Sequence, residues 1–124
     1  MDIDKITEKI IGAAYTVANT LGFGFLEKVY ENALLIELKK QGLNVKQQSN
    51  LPVYYDNQKV GDYYADLIVE DSVIIELKAV KDLAPEFSAQ VINYLKAAKL
   101  ETGLLINFGK PKIEIKRLFG HSKQ

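Results

Sequence analysis

The segment Ser72-Val73-Ile74-Ile75-Glu76-Leu77-Lys78-Ala79-Val80 is apolar apart from two opposite charges spaced two residues apart. On a β-strand, side chains alternate between faces, so Glu76 and Lys78 point to one side while Val73, Ile75, Leu77 and Ala79 take the other. Asp66 interrupts the preceding apolar run, Tyr64-Ala65-Asp66-Leu67-Ile68-Val69, in a similar way. If Glu70-Asp71-Ser72 is a three-residue loop, Val69 pairs with Val73 and Asp66 falls directly opposite Glu76. A two-residue loop would set Leu77 opposite Asp66 and scatter the group. Two carboxylates side by side lose ~0.2–1 kcal/mol relative to a neutral pair. A chain keeps such a pair most readily with a cation between them.

These residue types suit metal-assisted attack on a phosphoryl centre. Asp66, Glu76 and a main-chain carbonyl, expected to be that of Leu77, would hold a divalent ion and leave positions open for water and phosphate. The ion would polarise the phosphoryl oxygen and lower the pKa of the attacking water. Lys78 would orient or help deprotonate that water and stabilise the pentacovalent phosphorus. The chain has no cysteine and a single histidine, His121, which excludes disulfides, thiolate zinc sites, HExxH sites and histidine triads. Oxygen ligands alone favour Mg²⁺ or Mn²⁺. An amphipathic strand with a merely wet Glu76–Lys78 face would carry the same two charges. Asp66 in register on the neighbouring strand is what favours a site.

The flanking pattern supplies elements to position this group. Ile6, Ile10, Ala14, Val17, Ala18 and Leu21 recur at helical spacing and predict a helix from about Asp4 to Asn19. Leu21-Gly22-Phe23-Gly24 breaks it. A second helix is expected from about Leu26 to Gln41, with Leu26, Val29, Tyr30, Ala33, Leu34 and Leu38 as its apolar face and Gly42 as its stop. Strands are expected at Val45–Tyr55, where Pro52 hints at an edge or bulge, and at about Val60–Val69 and Val73–Val80. A third helix, about Pro85–Leu100, carries proline in its first turn. Gly103–Phe108 reads as a buried central strand, and Lys112–Phe119 as a final, more polar one. The order α-α-β-β-β-α-β-β predicts an α/β (α+β) fold with a mixed central sheet flanked by helices.

With 124 residues, 48% of them hydrophobic, the chain suits one domain, 1–124. Its net charge is zero, so no global field announces a nucleic-acid partner. The distribution is uneven: residues 1–108 carry eleven basic against fifteen acidic side chains, and residues 109–124 five against one. Lys110, Lys112, Lys116 and Arg117, with Lys123, form either a solvated tail or a phosphate-contacting patch. No apolar run reaches the ~18 residues a membrane span needs, and Met-Asp-Ile-Asp-Lys is no signal peptide. A cytoplasmic location without membrane contact is expected.

Asp66 followed about ten residues later by Glu76-Leu77-Lys78, after a helix with an embedded glutamate, resembles the PD-(D/E)XK nuclease superfamily. Gly24-Phe25-Leu26-Glu27-Lys28-Val29-Tyr30 resembles the signature of its small GxxExxY family, and the likeness spans about Ile6 to Phe119. The resemblance implies a restriction-endonuclease-like core and one Mg²⁺-dependent phosphodiesterase centre. It casts Asp66 and Glu76 as the strand carboxylates, Lys78 as the lysine, Glu27 as a helical acid supporting the metal, and Gln90 and Tyr94 as a helix motif bordering the site. Ala65 stands where the superfamily's proline would be.

Read as residues alone, Glu27 could merely complement a helix dipole, Tyr30 and Tyr94 could be packing, and Gly24 suits backbone geometry. Gln90, on an otherwise apolar stretch, calls for a polar partner. Three functions compete. The four-residue set Glu27, Asp66, Glu76 and Lys78 favours an active nuclease on DNA ahead of RNA. The short, neutral chain favours a catalytically silent nucleic-acid-binding or assembly module. A hydrolase of a small phosphorylated compound would remove the need for a basic surface. Pairing into a homodimer would reconcile a small neutral protomer with DNA.

Overall fold

In the computed structural model, which describes residues 1–120, the elements are α1 (Ile3–Leu21), α2 (Glu27–Lys40), β1 (Val45–Tyr55), β2 (Gln58–Val69), β3 (Val73–Lys78), α3 (Pro85–Ala98), β4 (Thr102–Asn107) and β5 (Glu114–Phe119). The order is the expected one. His121 and Lys123 lie outside the described residues.

The five strands lie in sequence order, with β3 and β4 parallel and every other neighbouring pair antiparallel. A parallel pair needs a crossover, and α3 supplies it. Side-chain alternation divides the core in two. Leu67, Val69, Ile75, Leu77, Leu104 and Ile106 face α1 and α2, which contribute Ile10, Val17, Tyr30 and Leu34. Ile68, Ile74 and Leu105 face α3, which contributes Val91, Tyr94 and Leu95. Both faces of β4 are therefore covered and all six of its residues are buried, as its continuous apolar run implies.

The helix termini follow local chemistry. Asp2 caps α1 by accepting from the Lys5 N–H at 2.9 Å. Gly42, at φ +79°, ends α2 with its N–H on Lys39 O, and Leu43 N–H reaches back to Leu38 O at 3.3 Å. Pro52 does lie on an edge strand, opposite Asp62, and the register slips between Val53 and Tyr54. Asp56 and Asn57, both left-handed, make the tight hairpin turn, so β2 starts at Gln58 rather than Val60.

The inward face of α2 differs from expectation. Tyr30, Leu34 and Leu38 are buried, but Leu26 is 80% exposed and Val29 is on the surface. Glu31 takes an inward position instead, at 1% exposure. It is tolerated there because Lys28, Gln47 and Gln48 all donate to its carboxylate. β3 also ends at Lys78 rather than Val80. The Asn107 side chain takes over there, accepting from Val80 N at 3.0 Å and donating to Val80 O at 2.9 Å.

Candidate active site

The β2–β3 hairpin has the three-residue loop that the site requires. Val69 pairs with Val73, Ile68 with Ile74 and Leu67 with Ile75, so the next position brings Asp66 opposite Glu76. Glu70 and Asp71 adopt left-handed backbone angles that close the loop, with Ser72 N–H on Val69 O.

Beyond Leu67 and Ile75 the two strands part, and side chains replace the ladder. Glu76 Oε2 accepts from the Asp66 main-chain N–H at 2.7 Å, and Asp66 Oδ2 accepts from the Leu77 N–H at 2.9 Å. Each carboxylate thus satisfies a backbone donor that the parting would orphan. Leu77 engages the site through this N–H, while its side chain is buried against α1 and α2.

The electrostatics are strained toward the neutral forms. Glu76 is 5% exposed. Burial, then repulsion from Asp66, push its carboxyl up to about 8. Burial also raises Asp66, with Glu31 adding repulsion and the Leu77 N–H opposing it. Glu27, in the first turn of α2, has an exposed side chain, yet desolvation on its protein side followed by repulsion from Asp66 raises it too. Lys78 acts on all three in the opposite sense. Among the described residues, however, no lysine or arginine comes within 4.0 Å of Asp66 or Glu76. The Lys78 ammonium lies instead 4.3 Å from the centroid of the Phe87 ring.

Glu27, Asp66 and Glu76 are therefore electrostatic neighbours without being a closed cage. Among the described residues no three acidic, histidine or cysteine side chains converge closely enough to hold an ion as they stand. Like charges keep apart, and two of the three carboxylates turn to main-chain donors.

Tyr30 is wholly buried and structural. Its ring stacks on Phe108 at 4.7 Å, and its hydroxyl donates to Gly22 O at 2.6 Å and accepts from Phe25 N at 3.2 Å. Phe108 N–H in turn donates to Lys78 O, which ties the loop before Glu27 to the end of β3. Gly24 lies in that loop at φ +113°, an angle that strains any other residue. On α3, Tyr94 is 6% exposed and packs on Tyr63. Burial and the charges of Glu76 and Asp66 raise its phenol, and Gln90 opposes them from one turn away. Tyr94 thus lies within the field of the acidic pair, and Gln90 bonds to Tyr94.

The basic residues divide. Lys78 is in register with Asn107, and Asn107 with Glu114, so Lys110 and Lys112, in the connection that follows, stand at the Lys78 end of the sheet. Lys110 is partly engaged, 3.6 Å from Glu114 and 3.9 Å from Asp82. Lys116 is in register with Leu105 and, through it, Glu76. Arg117 lies on the other face, bound to Asp4 at 3.1 Å and Thr7 at 3.4 Å on α1. A cleft of about 460 Å³ opens elsewhere, lined by Tyr54, Tyr63, Lys96 and Lys99, and none of the acidic residues lines it.

Four contributors escape the sequence pattern: Glu31, Gln48, Phe87 and Asn107. Gln48 donates to Asp66 Oδ1 at 3.1 Å and to both oxygens of Glu31. The one signal for Glu31 is its position four residues after Glu27, on the buried stripe of the helix.

The profile of the PD-(D/E)XK nuclease superfamily matches residues 4–118. The crystal structure of SSO0001 is similar in fold, with a TM-score of 0.60 and 18% identity over 78% of this chain. The chain spans about half of that protein's length, 52%. No curated protein matches. The chain belongs to the PD-(D/E)XK nuclease superfamily.

Proposed function

We propose that this chain is a Mg²⁺- or Mn²⁺-dependent nuclease of the GxxExxY branch, hydrolysing phosphodiester bonds of DNA ahead of RNA, with residues 1–124 as a single domain. The observation that carries the reading is the desolvated Asp66–Glu76 pair, with Lys78 nearby and, among the described residues, no lysine or arginine within 4.0 Å of either acid. Burying two acids this way is unfavourable unless a cation compensates them. An all-oxygen donor set with raised carboxyl pKa values suits a hard divalent ion.

Asp66 and Glu76 would hold that ion, with the Leu77 carbonyl and, through water, Glu27. When bound, it supplies Lewis-acid polarisation of the phosphoryl oxygen and a lowered pKa for the attacking water. Lys78 orients that water and stabilises the charge that develops on the phosphoryl oxygens. The cation–π contact with Phe87 limits where its ammonium can go. Gln90 and Tyr94 border the same acids and shield them from solvent. Lys110, Lys112 and Lys116 supply phosphate contacts at the site end. Exposed Phe23, Phe25 and Leu26 on the loop before α2, and Tyr54, Tyr55 and Tyr64 on the β1–β2 hairpin, offer apolar surface for a homodimer.

One observation favours a catalytically silent binding or assembly module instead: Arg117 and Lys110, two of the four residues expected to contact phosphate, already have acidic partners, which weakens that patch as a duplex contact. Cleavage of single-stranded, duplex and branched substrates with Mg²⁺ or Mn²⁺ separates the readings. Activity that Glu76→Ala and Lys78→Ala both abolish is expected. Activity that survives both changes, or no cleavage of any substrate, contradicts the nuclease reading.

A further inference from the structure

Among the described residues, six other than glycine have positive φ. Asp56, Asn57, Glu70 and Asp71 are in hairpin turns, and Lys99 ends α3. Gln48 alone, at φ +49°, lies in the interior of a strand. The β1–β2 ladder steps over it, running from Gln47↔Leu67 to Ser49↔Ala65, so Gln48 drops out opposite Asp66. A glutamine held there is strained by about 1–3 kcal/mol, and no turn accounts for it.

The strain aims its side chain. Gln48 Nε2 stands 3.1 Å from Asp66 Oδ1, and 3.2 and 3.1 Å from Glu31 Oε1 and Oε2. One amide hydrogen suits Asp66 and the other is shared by the two Glu31 oxygens. All three partners are carboxylate oxygens, so the NH₂ end, not the carbonyl, must face them. Glu31 is fixed in turn, its side chain 2% exposed and its Oε2 also receiving Lys28 Nζ at 2.9 Å and Gln47 Nε2 at 2.7 Å. Leu77 N–H holds the other Asp66 oxygen. Both oxygens of one carboxylate are thereby pinned, by donors from β1 and β3, which fixes its plane and leaves each a second lone pair.

We propose that Gln48 is a positioning residue, anchored by buried Glu31, that sets the orientation of the Asp66 carboxylate for cation binding. This rests on the metal-site reading above. Neither the glycine motif nor the Asp66…Glu76-x-Lys78 spacing contains it. Partners that orient ligating carboxylates typically matter 10–100-fold in metal affinity.

The test uses Gln48→Gly and Gln48→Asn, since both residues accept the left-handed backbone and neither side chain reaches Asp66 and Glu31 together. Mn²⁺ affinity by titration calorimetry is read beside the melting temperature. Expected is affinity weaker by about 10-fold or more, with a melting temperature close to that of the unchanged chain, because relief of the backbone strain offsets the lost hydrogen bonds to Glu31. A merely structural glutamine would lower the melting temperature and leave affinity alone. Affinity within about 2-fold of wild type in either folded variant overturns the proposal, as does loss of folding in both. If the wild type binds Mn²⁺ and Asp66→Asn does not, an unaffected Gln48 variant sinks this proposal alone. A wild type that binds no Mn²⁺ sinks both it and the metal-site reading.

Discussion

Asp66 and Glu76 bond across the parting of β2 and β3 without touching each other's side chains: Glu76 takes the Asp66 N–H, and Asp66 takes the N–H of the residue after Glu76. The exchange holds two acids in one desolvated gap. A main-chain donor holds one oxygen of each carboxylate.

Stability should therefore fall as pH rises across the neutral range. Glu76 has an ordinary value of 4.5 when unfolded and about 8 when folded. Below 4.5 both states hold the proton. Between 4.5 and about 8 the unfolded chain has released it while the folded chain keeps it, so the folded state binds more protons and loses stability with rising pH. Asp66 and Glu27, raised in the same direction, add to the trend. Urea midpoints measured in chelator should drop from about pH 5 to pH 8, and Mg²⁺ should reverse the drop. A flat or rising profile in chelator would refute this.

Glu76→Gln removes the buried charge and keeps the shape. At pH 8 it should unfold at higher urea than the wild type, by on the order of 1 kcal/mol, while losing metal affinity. Equal or lower stability at that pH would show that Glu76 carries no desolvation penalty.

Lys78→Ala separates catalysis from metal binding. Cleavage should fall by about 10²–10⁴-fold. Mn²⁺ affinity should hold or improve, because a competing positive charge beside Glu27, Asp66 and Glu76 is gone. Parallel titration and cleavage measurements check the split. Loss of both together would make Lys78 a structural counter-ion.

Two glycines give opposite expectations. A Cβ on Gly109 would lie 2.3 Å from both Val80 N and Val80 O, at the point where Asn107 stitches the end of β3. Gly109→Ala should cost at least about 3 kcal/mol. A Cβ on Gly12, exposed on α1, meets nothing within 4 Å, and Gly12→Ala should stabilise by about 0.5–1 kcal/mol. Denaturant midpoints decide both.

The element order, the buried β4 and the facing of Asp66 and Glu76 were legible because strand alternation and a three-residue loop leave one register. The inward face of α2 was not. Helical spacing places Leu26 and Val29 beside Tyr30, and a charge such as Glu31 goes inward only when distant donors wait for it, here Gln47 and Gln48 from β1. The left-handed Gln48 carries no local mark, since glycine or asparagine would be the usual residue there. Asn107 falls inside the expected strand Gly103–Phe108, and nothing local signals that its amide stands in for a missing strand partner at Val80. Phe87 became part of the site only when α3 brought its ring under the Lys78 ammonium.

The most direct measurement is the anomalous-scattering map of crystals soaked in Mn²⁺. One peak bounded by the second lone pair of an Asp66 carboxylate oxygen, a Glu76 carboxylate oxygen and the Leu77 carbonyl, at about 2.0–2.2 Å from each, is the expected result. A well-ordered β2–β3 gap with no peak, or Mn²⁺ bound only at other acids, would contradict the site.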